Sequence, residues 1–124
     1  MSEDKATKPK FLSPLKIYPE KLTRPYASGK PWVLVEFSAT VYTSGNKNMP
    51  IDYVITRPDD KEDSIVQRAV AEQATQDEGI AHMTYAISHD DPTGEYKVKV
   101  EIRDCDGDCV KTGSFEVEKD PLEA

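Results

Sequence analysis

Residues 95–104, Glu-Tyr-Lys-Val-Lys-Val-Glu-Ile-Arg-Asp, alternate charged and apolar side chains without a slip as far as Arg103. A helix turns about 100° per residue and would scatter Tyr96, Val98, Val100 and Ile102 around its circumference. A strand places all four on one face and puts Glu95, Lys97, Lys99, Glu101 and Arg103 on the other. The stretch therefore reads as a strand with one buried side and one wet side. Residues 32–43 repeat the pattern, with Val33, Val35, Phe37, Ala39 and Val41 pointing one way. Residues 52–57 align Tyr53 with Ile55, and residues 79–88 align Met83, Tyr85 and Ile87. Pro14 opens a plausible edge strand over residues 14–18, a place where proline is tolerated.

Turn-forming clusters punctuate these runs at residues 28–30, 43–50, 57–63, 75–79, 88–94 and 106–108. Residues 64–75 are double-edged. Ser64 and Gln67 fit a helix capping box, whereas Ile65, Val66 and Val70 are β-branched. The strand-rich surroundings favour a strand. In the last run Phe115 and Val117 are odd-numbered and Val110 is even. If all three face inward, one extra residue must be absorbed between them, and Gly113 is the expected bulge. The total is seven strands with one longer connection over residues 19–31, which predicts an all-β, two-layer antiparallel sandwich. Residues 1–13 and 120–124 are polar tails with little to bury, the first expected to be disordered, and residues 14–119 form one domain. A chain of 124 residues is enough for one core and too short for two.

The segments Gly79-Ile-Ala-His-Met-Thr-Tyr-Ala-Ile, Pro92-Thr-Gly-Glu-Tyr-Lys-Val-Lys-Val-Glu-Ile and Gly113-Ser-Phe-Glu-Val-Glu resemble the second half of immunoglobulin-like domains, and most closely macroglobulin-type and bacterial Ig-like modules. The resemblance covers residues 50–118, and the first half only in general pattern. It implies a seven-stranded Ig-like sandwich serving as a spacer or protein-binding module. It also implies a structural role for Tyr96, whose ring is buried while its hydroxyl caps nearby backbone. Two features depart from the pattern. Trp32 lies at the start of its strand, and the two cysteines do not occupy the inter-sheet disulfide positions.

Cys105 and Cys109 flank Asp106, Gly107 and Asp108, which read as a three-residue hairpin loop. With Val110 inward, both sulfurs fall on the outer face and within disulfide reach. A structural pair is the leading reading. A redox-responsive or metal-binding pair is the alternative, although the acidic neighbours Asp104, Asp106 and Asp108 disfavour a reactive thiolate. The calcium-loop spacing fails, because the sixth position from Asp104 is Cys109 and the twelfth is Phe115. His82 and His89 do not complete a zinc set, since His89 belongs at the far end of the neighbouring strand, roughly 30 Å away.

No nucleophile elbow, phosphate loop, zinc-protease motif or carboxylate pair is present, and His89-Asp90-Asp91 reads as a polar turn. The expectation is a non-catalytic module with no cofactor. The net charge of −7 disfavours nucleic acid and anionic membranes. The N-terminus has no apolar signal core, so the cytoplasm or an excised domain of a larger protein is expected. The expected partner is another protein, and the chain is expected to be a monomer in isolation. In the implied Ig-like fold, Asn46, Asn48, Asp77, Glu78, Asp106 and Asp108 gather on loops at one end, which makes that end a candidate binding surface. The outward side of residues 32–43, with Trp32, Leu34 and Tyr42, is a second.

Overall fold

The computed structural model describes residues 9–42, 48–71, 78–103 and 109–122, and among these every regular element is a strand. In chain order they are β1 (Lys10–Phe11), β2 (Lys16–Tyr18), β3 (Lys21–Thr23), β4 (Val33–Tyr42), β5 (Asn48–Thr56), β6 (Glu62–Ala71), β7 (Glu78–Ile87), β8 (Gly94–Ile102) and β9 (Val110–Glu118). The alternation that defines β8 leaves Tyr96, Val98, Val100 and Ile102 buried, with charged residues exposed between them. β4 does the same with Val35, Phe37, Ala39 and Val41. Of the ambiguous segment, residues 64–71 belong to a strand, β6, as their β-branched residues favour, and residues 72–75 lie outside the described residues.

The hydrogen-bonded order is β1-β4-β7-β6-β5-β8-β9-β3, with β2 also on β4. β4 and β7 pair over ten positions and carry β1 and β2 on the other edge of β4. β5, β8, β9 and β3 form the second layer. β6 joins the two, pairing along its length with β5 and, among the described residues, meeting β7 only at Val70↔Ile80 and Ala71↔Gly79. The inner faces meet in one apolar cluster. Phe37 and Tyr85 from the first layer lie 5.9 Å and 6.4 Å from the Phe115 ring of the second, and Phe115 stacks on Tyr96 at 4.9 Å.

Four expectations are corrected. Nine strands replace seven among the described residues, because residues 10–11 and 21–23 also pair. Phe11, inside the stretch expected to be a tail, pairs with Val41 and lies in the core. The sheet is not wholly antiparallel, since β3 runs parallel to β9. There is no bulge at Gly113. β8 and β9 pair without interruption from Gly94↔Val117 to Glu101↔Val110, so Val110 points outward and is 42% exposed. Gly113 faces inward for a different reason: a Cβ there would stand 2.8 Å from Ile17 Cδ1. The missing side chain is the space that lets β2 lie against β9. Gly94 is needed for its backbone, with φ of +128° at the start of β8 and Pro58 packed against it.

Candidate interaction surface

Register brings three strand connections to one end of the molecule. Tyr42 pairs with Glu78, Ala71 with Gly79, and Ile51 with Ile102. The loops expected to carry a binding surface leave from there. Asn46, Asp77, Asp106 and Asp108 lie outside the described residues. Asn48 opens β5 opposite Val70, and Glu78 opens β7 as an exposed residue.

The cysteine geometry changes at this end. The Ile102 amide donates to the Cys109 carbonyl at 2.9 Å. Cys109 therefore sits opposite Ile102 and shares its inward side, instead of facing out with Arg103. The physical reason is the uninterrupted register through Gly113, which moves every residue before it to the opposite side from the bulged alternative. The expected Asp106-Gly107-Asp108 turn lies outside the described residues. Cys105 lies outside the described residues. The described residues contain no cluster of three metal-ligating side chains.

The opposite end is knitted by polar side chains that sequence reading took as a plain turn. Asp91 accepts from the Ser88 backbone amide at 2.7 Å, and Asp90 from the Ser88 hydroxyl at 2.5 Å. Arg24 donates to the Asp91 carbonyl at 2.6 Å, which ties the chain after β3 to the β7–β8 turn. Arg57, at the end of β5, lies 3.5 Å from Asp91 and 3.6 Å from Asp59. Burial works against the Arg57 charge, but the two carboxylates outweigh it and hold its pKa above the ordinary value. The Ser88 hydroxyl, and after it a backbone hydrogen bond, hold the Asp90 carboxyl below its ordinary value. Tyr85 donates to Asp63 across the gap between β7 and β6, and burial followed by that bond pushes its pKa up. Tyr96 is fully buried and donates to the Pro92 carbonyl at 2.7 Å. Each of these groups is engaged within a turn or ties one turn or layer to another.

The outer face of the first layer is different. Tyr18 on β2, Trp32 just before β4 and Leu34 on β4 are 76%, 63% and 54% exposed. Tyr18 pairs with Glu36, two residues beyond Leu34, and Leu34 pairs with Ala86. Trp32 lies two residues before Leu34, on the same side by strand alternation. The three thus form adjoining rows of one apolar patch. Glu36 stands beside it, its carboxylate 3.4 Å from His82 Nε2. Tyr42, expected to share this patch, lies eight residues along β4 from Leu34, about 27 Å away, and is half-buried. Tyr18 takes its place. Sequence pattern could not find Tyr18, because its position depends on which β4 residue β2 pairs with. Among the described residues no helix is long and apolar enough to cross a membrane. Comparison with known proteins finds no family model and no curated protein that matches the chain.

Proposed function

We propose that the chain is a non-catalytic Ig-like module that binds a partner protein through the outer face of β2 and β4. The observation that carries this reading is the patch of Tyr18, Trp32 and Leu34. Large apolar groups clustered on one exposed face, rimmed by polar ones, mark a surface that a partner covers. Tryptophan and tyrosine are also the residues that most often dominate binding energy. Glu36 beside the patch, in a chain of net charge −7, favours a partner that presents an apolar anchor next to a basic group. The Ig-like class is supported by the N-terminal strands, which leave β4 and return parallel to β9, and by the Tyr96 hydroxyl on the Pro92 carbonyl. The absence of catalysis is supported by the structural employment of Arg57, Asp91, Ser88 and Tyr85.

The test compares proteins retained from the native source by the wild-type chain and by a Trp32→Ala, Tyr18→Ala variant. Each truncation at a central aromatic removes about 2 kcal/mol, so retention of a specific partner falls at least 30-fold. Trp32 is the only tryptophan, so its fluorescence reports contact with the purified partner directly. Equal retention by both chains, with no change in fluorescence, overturns the reading.

A further inference from the structure

β6 is fully paired on one edge only. Register pairs from Asn48↔Val70 to Thr56↔Glu62 tie it to β5, whereas its ladder to β7 holds, among the described residues, Val70↔Ile80 and Ala71↔Gly79 alone. Over residues 62–69 the second edge carries backbone N–H and C=O groups with no strand beside them among the described residues. Donors and acceptors alternating at strand spacing are met by one kind of occupant, another extended backbone. The edge is also chemically polarised. Glu62 and Asp63 stand at one end, and position 68, seven residues into the strand, is an arginine. Glu62 is exposed and outward, with the Thr56 hydroxyl at 3.5 Å, while Asp63 is already engaged by Tyr85. Val66 is 50% exposed on the same outer side as Glu62.

We propose that this edge pairs antiparallel with the same edge of a second copy, with Ile65 opposite its own counterpart. That register sets Glu62 of one copy opposite position 68 of the other, and the twofold axis repeats the match. It also sets Val66 opposite Ser64. A shift of one residue toward Arg68 would instead recruit Asp63, which the Tyr85 hydroxyl holds on the inner side. The complex is a continuous sheet, β5-β6-β6-β5, closed by symmetry so that it does not extend into a fibre. This departs from the monomer expected of an isolated module, and it uses a surface separate from the Trp32 patch.

Sedimentation velocity from micromolar to millimolar concentration tests it, with hydrogen exchange measured at both ends of the range. The expected result is a monomer–dimer equilibrium in which alternate amides of residues 62–69 slow as concentration rises. Glu62→Lys weakens the dimer about tenfold, and Arg68→Glu added to the same chain restores it. Trp32→Ala leaves the equilibrium unchanged. Unaltered far-ultraviolet circular dichroism confirms that these surface variants fold. A monomer at every concentration overturns the proposal. So does a dimer that ignores Glu62→Lys, that the reversed pair fails to rescue, or that Trp32→Ala dissolves.

Discussion

Two tyrosines in the same core have opposite prospects. Tyr96 donates to the Pro92 carbonyl, while the Tyr53 hydroxyl is buried with no hydrogen-bond partner among the described residues. Tyr96→Phe leaves a carbonyl unpaired and lowers stability by about 1 kcal/mol. Tyr53→Phe removes an unmet polar group at almost constant volume, so it is neutral or stabilising by up to about 1 kcal/mol. Urea midpoints of the two variants check the contrast. The same burial sets an alkaline limit. It pushes Tyr96 up to about 12, with Asp91's charge adding to it, and it raises Tyr53 and Tyr85 as well. Because the folded pKa lies above the unfolded value near 10, the unfolded chain loses its tyrosine protons first. Stability is therefore full below about pH 10 and falls as pH rises toward the folded pKa. For Tyr96 alone the loss is on the order of 2 kcal/mol. Tyr96→Phe should shallow the decline between pH 10 and 12 in urea titrations, and an unchanged slope would assign the loss elsewhere.

At the scale of strands, Gly113 shows where a one-dimensional reading stops. Its parity against Val110 suggested a bulge, but the ladder to β8 is regular and the glycine instead makes room for Ile17. Gly113→Val should destabilise by about 1–3 kcal/mol through overpacking. Ile17→Ala in that background should recover part of the loss, whereas Ile17→Ala alone should cost stability. Thermal unfolding of the three variants gives the comparison, and additive losses would show that the two positions do not meet. The inward residues of β4, β7 and β8 were legible because strand period alone decides them. Pairing between strands was not legible. The positions of Tyr18 beside Glu36, Val110 opposite Glu101, and β3 parallel to β9 all depend on register that no single segment encodes. The exposed apolar patch was half legible for the same reason: Trp32 and Leu34 lie two residues apart in one run, but Tyr18 joins them from another strand. The Asp91 turn looked ordinary because Arg24 and Arg57, which give it work, are distant in sequence.

Across the molecule, the two layers share one core and are joined by β6, which meets β7 at two register pairs among the described residues. Their mutual hold is therefore mainly side-chain packing, centred on Phe115 between Phe37, Tyr85 and Tyr96. Neither layer buries its apolar face without the other, which makes separate unfolding of the layers costly. Phe115→Ala should remove about 3–5 kcal/mol, the usual cost of deleting a buried aromatic ring. The loss should fall on both layers together. Backbone circular dichroism at far-ultraviolet wavelengths and tyrosine signals in the near ultraviolet should then shift to the same lower midpoint in a single transition. The exposed Trp32 is a poor reporter of this event, because unfolding changes its surroundings little. Two separated transitions in the variant would mean that β4 and β7 hold together without the second layer, and that the seam at β6 is a boundary between independently stable parts.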